Sequence, residues 1–266
     1  MTHLAATAVV TAATHLMRAG QWTAATELLR ASQAENPAEH QALALARAEV
    51  AVDQDFAQQT THAPAALTAI TQLIGESTDA TVTWDVEMLR LRKDYGTALV
   101  QSGDLSFGPE GRDEATSAAL ASRAERLGEN APGDPRRGAV SFYAGLIADN
   151  LRGRSDEAFI HFTAAMQLGE KSGDELLASL ALRHLGDHAH TAGDLVLARE
   201  QWERSTELRQ KVGHLLGALA QQALLAVLLR DEGDLAGSRA LATEVNRWAR
   251  QVELPFLVSQ TDALLK

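Results

Sequence analysis

Glycines at positions 153, 193 and 233 stand forty residues apart, and the residues around each recur with them. The middle copy is the most complete, DELLASLALRHLGDHAHTAGDLVLAREQWERSTELRQ over residues 174–210. In it Leu182, Leu185, Gly186 and Ala189 fall on one face of a helix, and Ala192-Gly193-Asp194 breaks it. Leu195, Ala198, Trp202 and Ser205 then form a second apolar stripe. Small residues at Gly186, Ala189 and Ala198 allow two antiparallel helices to approach closely, with Trp202 filling the space beside them. Neither helix can bury its stripe alone. Forty residues upstream the same places hold Gly153, Ala158, Phe162 and Ala165; forty downstream they hold Gly233, Ser238, Ala242 and Val245. A recurring hairpin of this kind constrains the chain to an all-α array in which each unit is completed by its neighbours.

The spacing carried by Leu185, Gly186, Gly193, Asp194, Ala198 and Trp202 resembles the tetratricopeptide repeat (TPR). Gly20, Trp22, Ala25, Leu29 and Pro37 reproduce the turn glycine, aromatic, small residue and closing proline of that repeat near the N-terminus. The forty-residue period exceeds the family's usual thirty-four and is similar to the long-repeat solenoids of kinesin light chains and large bacterial regulators. The resemblance covers residues 5–37 and 136–250. Between them Tyr95-Gly96 and Ser102-Gly103-Asp104 look like the first helix and turn of a repeat, after which LSFGPEG at residues 105–111 delays the second helix. The resemblance implies an α-α superhelix of about 12–13 antiparallel helices. The expected organisation is one solenoid over 1–266, with an irregular half to residue 131, regular repeats over 136–252 and a closing helix over 255–266.

Local signals place helices near 4–19, 23–33, 38–52, 65–74, 82–101, 112–128, 137–152, 155–170, 174–192, 195–211, 214–232, 235–252 and 256–265. The polar run DQDFAQQTTHAP at 53–64 reads as a loop, and ENAPGDPR at 129–136 as the strongest break in the chain. Strands are not expected anywhere.

Charge and composition narrow the function. A net charge of −11 and a pI near 5.3 oppose nucleic-acid binding by bulk electrostatics. The chain has no cysteine, which removes disulfides, thiolate nucleophiles and cysteine-based zinc sites. Residues 1–13 are apolar, but the first Lys or Arg is Arg18, behind them, so the pattern reads as a first repeat helix and not as a secretory leader. The uncharged run 212–229 is interrupted by Gly213, His214, Gly217, Gln221 and Gln222, which fits a buried helix better than a membrane span. The expected location is cytoplasmic, with no membrane partner.

Catalytic signatures are missing: neither a GxSxG elbow nor a GxxxxGK[ST] phosphate loop occurs. The best chemical candidate is His184, Asp187, His188 and His190. His184 and His188 are four apart on one helical stripe and make a weak metal pair, lacking the glutamate and third ligand of HExxH. A metal protein or solenoid enzyme centred on His184, Asp187 and His188 is the alternative reading. The leading one is a non-enzymatic scaffold without cofactor. In it the inner wall of the superhelix receives a peptide or protein segment, through Tyr143, Ile147 and Asn150, then Arg183, Asp187 and His190, then Ala223, Val227 and Arg230. Arg90, Lys93 and Thr97 would extend that wall into the irregular half. Self-association through solenoid ends, giving a homodimer, is a further possibility.

Overall fold

The computed structural model describes residues 4–75 and 79–266. Among them lie thirteen α-helices that pack sequentially on neighbours, so the fold is an all-α helical solenoid. Two compact units divide the chain, residues 1–97 and 98–266.

In the first unit α1 (Ala6–Arg18) and α2 (Trp22–Ala31) form a hairpin that turns at Gly20, whose φ is 78°. Trp22, Ala25 and Leu29 are buried. The third helix, α3 (Pro37–Gln58), opens with Asn36 accepting a hydrogen bond from the Glu39 N–H at 3.0 Å. It continues past the expected end at Val52 as far as Gln58. Asp53 stays helical because its carboxylate is buried and accepts the Trp22 indole N–H at 2.7 Å. Asp55 then accepts the Thr60 hydroxyl and the backbone N–H groups of His62 and Ala63, confining the turn to 59–62 before α4 (Ala63–Ile74). Helix α5 (Ala80–Leu99) adds Val86 and Leu89 to a core shared with Ala48, Val52, Leu67 and Ile70.

The second unit begins with a short strand pair, correcting the expectation of no strands. Val100–Gln101 (β1) pairs antiparallel with Asp104–Leu105 (β2) across Ser102 and Gly103, at φ 53° and 91°. Two successive positive φ values make the kind of turn whose twist matches a two-residue hairpin. Eight helices come next: α6 (Glu114–Glu129), α7 (Asp134–Arg152), α8 (Ser155–Ser172), α9 (Glu175–Thr191), α10 (Leu195–Lys211), α11 (Leu215–Asp231), α12 (Leu235–Gln251) and α13 (Pro255–Leu265).

The forty-residue period has a finer grain. Gly153, Gly173, Gly193, Gly213 and Gly233 all take left-handed backbone, with φ from 63° to 94°, at intervals of twenty residues. After four of these the next residue caps the following helix. Asp174, Asp194, His214 and Asp234 accept from the N–H three residues on, at 2.8–3.0 Å. Each helix therefore stops on a left-handed residue and the next starts at once, which reverses the chain direction. The series continues to Glu253, at φ 56°, where a residue with a Cβ occupies the bend.

Between paired helices the backbones come close. A Cβ on Gly186 would stand 2.4 Å from the Trp202 ring, and one on Gly145 would stand 2.6 Å from Phe162. Trp202 and Phe162 are almost fully buried, and the Trp202 indole donates to the Arg183 carbonyl at 2.9 Å. At the end of the array the Asn246 amide reaches from α12 to Thr261 and Asp262 on α13, both at 2.8 Å.

A left-handed backbone costs a residue with a Cβ about 1 kcal/mol more than glycine. Glu253→Gly should accordingly raise unfolding stability by about that amount, read as an upward shift of the denaturant midpoint. Trp202→Ala should lower stability by about 3–5 kcal/mol, as an aromatic removed from a core.

Candidate functional site

Within the second unit the odd-numbered helices also approach one another, α7 to α9 and α11 to α13, so they form one layer. Histidine and aspartate side chains meet between these helices. His188 on α9 lies 3.6 Å from Asp149 on α7, and His190 on α9 lies 2.8 Å from Asp231 on α11. Asp231 also accepts from Arg230 at 2.7 Å. Between them Arg183 pairs with Asp187 at 2.8 Å, one helical turn apart on α9. The result is a ladder of acid–base pairs across three helices, with side chains between 15% and 48% exposed.

Asn150, His190 and Arg230 occupy equivalent places, forty residues apart, at the C-terminal ends of α7, α9 and α11. Tyr143, Asn150, Arg183, Asp187, His190, Val227 and Arg230 are all partly exposed. Ile147 departs from the expected wall: it is fully buried, as is nearly so Ala223. At the register of Ile147 stands Asp187, whose carboxylate is paired with Arg183 and only partly covered, whereas an aliphatic side chain gains by leaving water altogether. In the first unit Arg90 pairs with Glu87 at 2.5 Å and donates to Thr71 at 2.8 Å. Lys93 pairs with Asp94 at 3.1 Å, and the Thr97 hydroxyl bonds back to the Lys93 carbonyl. There Arg90 and Lys93 are engaged within their own unit.

The histidine group is only partly a surface feature. His184 is buried, stacked on Phe162 with ring centroids 4.6 Å apart and tilted against Phe142. Burial first, then the cationic neighbours Arg183, Arg209 and His188, hold its pKa well below the ordinary imidazole value. Its 3.7 Å approach to Asp187 is therefore that of a neutral ring. His188 sits against Phe159 and Phe162, with Asp149 on one side and Ser155 3.4 Å away on the other. Among the described residues no group of three His, Cys, Asp or Glu side chains is placed to hold a metal ion.

Sequence motifs miss three charged residues. Asp149 and Asp231 are readable only as helix-end carboxylates, because their partners come from the next inner helix. Arg209 carries a signal: it continues the stripe Ala198, Trp202, Ser205 of α10, so a cation stands at a core register. The structure buries it, leaves its Nε without a hydrogen-bond partner and runs its guanidinium past Gly217, where a Cβ would meet Nη1 at 2.5 Å. Burial, then Arg183, pushes Arg209 down to about 9, with Asp187 opposing. Burial likewise raises Asp187 despite Arg183 beside it.

A depressed folded-state histidine pKa stabilises above the unfolded value of about 6.5 and loses that stability as pH falls below it. Between pH values of about 7.5 and 5.5 His184 should cost the fold up to about 1.4 kcal/mol, the limit reached when the folded ring stays neutral throughout. His184→Phe, keeping a ring against Phe162, should reduce the acid loss by that amount in paired denaturation curves. An unchanged pH dependence would place the proton elsewhere. No model of a known protein family matches this chain, and no curated protein matches it.

Proposed function

We propose that the chain is a TPR-like, non-enzymatic binding module whose second unit receives an extended, acidic peptide or protein segment on its inner face. The single observation that carries this reading is the ladder from Asp149 to Arg230. It spans three helices and stays partly open to solvent. Packed helices stand roughly 10 Å apart, and an extended chain advances roughly 3.3 Å per residue. A segment crossing the ladder would thus meet a new helix about every third residue. A carboxylate could take Arg183 from Asp187, or Arg230 from Asp231, exchanging one charge-assisted pair for another. The register of Asn150, His190 and Arg230 supports recognition of a chain in one direction.

Two features favour binding over catalysis. Arg183 and Arg230 are already paired with Asp187 and Asp231, and the imidazole of His184, a histidine held well below its ordinary pKa, is stacked on Phe162 inside the core. Rigid helices would lower the ordering cost on the protein side, so many modest contacts suffice for affinity.

The test is selection of random peptides displayed against the full chain. Enriched sequences should carry carboxylates at a spacing near three residues. Arg183→Glu and Arg230→Glu should each weaken capture roughly tenfold or more, the scale of a lost charge-assisted bond. Melting temperatures should stay within about 4 °C of the parent, since both sites lie outside the core. Selection without enrichment, or enriched peptides indifferent to both variants, would overturn the reading.

A further inference from the structure

The insertion at residues 105–111 does more than lengthen a turn. Its root is fixed by many bonds. Arg112 donates through Nε to the Gly108 carbonyl at 2.6 Å and through its two terminal nitrogens to the carbonyls of Ala98 and Ser106. Ser106 N–H donates to the Leu99 carbonyl, and the Gln101 amide donates to the Glu110 carbonyl. The same segment is seated on the end of α7. Gly108 N–H donates to the Asn150 carbonyl at 2.9 Å, and Pro109 fills the space where a Cβ on Gly153 would be, 3.0 Å away. At the equivalent bends Gly173, Gly193, Gly213 and Gly233, nothing lies within 4 Å of that position. Gly153 is distinguished from these by a tenant.

From this root Phe107 reaches the edge of Phe256 on α13, with ring centroids 5.3 Å apart and planes at 61°. Five helices separate α7 from α13 in the packing order. The segment therefore bridges the first inner helix of the regular run and its last. The two attachments differ in strength. The root is held by several hydrogen bonds, whereas the tip carries an aromatic pair with Phe107 still 45% exposed.

We propose that residues 105–111 form a clasp that fixes the curvature of the second unit, and that releasing Phe107 from Phe256 opens the inner face for a partner segment. A single aromatic pair shifts an equilibrium by roughly two- to tenfold. The open form is then a populated minor state, and a ligand preferring it need supply only that factor. Solenoid curvature is the sum of small rotations between neighbouring helices, so one tie between the ends acts on every step between them. The gating role rests on the proposed binding function; the clasp itself does not.

Because the chain has no cysteine, two spin labels can be placed at will, at Glu110→Cys on the clasp root and Ser259→Cys on α13. With Phe107 present, pulsed electron resonance should give one narrow distance. Phe107→Ser, which removes a ring that is nearly half exposed, and Phe256→Leu, which keeps α13 apolar, should each broaden and lengthen it while helical content stays constant. A distribution already broad in the parent, or unchanged in both variants, would overturn the clasp. For peptides obtained by selection on the inner face, both variants should raise the association rate roughly two- to tenfold. Unchanged association rates alongside a broadened distance would overturn the gate and leave the binding reading standing. A selection that yields no peptide would count against the binding function, while the distance measurement would still decide the clasp.

Discussion

Each helix of the regular run ends on a residue whose backbone is left-handed, and the geometry of that bend sets the direction of the next helix. With φ near 63° to 94° at Gly153, Gly173, Gly193, Gly213 and Gly233, the chain leaves one helix and enters the next almost at once. Helices of similar length must then run antiparallel and side by side. An odd and an even layer result, and positions forty residues apart become equivalent. Asn150, His190 and Arg230 owe their alignment to this spacing. Glu253 takes the same conformation without being glycine, which concentrates strain where the array ends in α13.

Close approach of the helices is the second consequence. At Gly186 and Gly145 the absent side chains are replaced by Trp202 and Phe162, so that each hairpin is locked by an aromatic from its outer helix. Small residues such as these exchange side-chain area for backbone proximity and a larger aromatic contact. The same closeness draws polar groups out of water. His184 lies against Phe162 and loses its readiness to protonate, while Arg209 is pressed past Gly217 into a setting where its charge is disfavoured. The first unit contains a parallel case. Burial raises the Asp53 carboxyl, and the Trp22 indole N–H acts against it.

Departures from regularity occupy particular places. The strand pair and residues 105–111 precede the array, yet their contacts run to α7 at Asn150 and Gly153 and to α13 at Phe256. An insertion that merely tolerated extra length would have had no need of the three-carbonyl grip of Arg112. His188 approaches Asp149 between α9 and α7, and His190 meets Asp231 between α9 and α11, so polar contacts join neighbouring hairpins beside the hydrophobic layer within each.

By itself the sequence determined the helices and their pairing. Turn glycines and apolar stripes are local properties of the chain, and the stripe through Ala198, Trp202 and Ser205 was legible from spacing. It did not determine that residues 53–58 stay helical, because Asp53 is held by Trp22, an indole thirty-one positions away. Nor could it separate Ile147, which joined the core, from Asp187 at the same register, since burial depends on the neighbours each helix acquires. The partners of Asp149, Asp231 and Phe107 were decided only by tertiary structure. Each pairing joins residues from different helices or loops, and a spacing rule that spans one helix carries no information about the side chain arriving from the next.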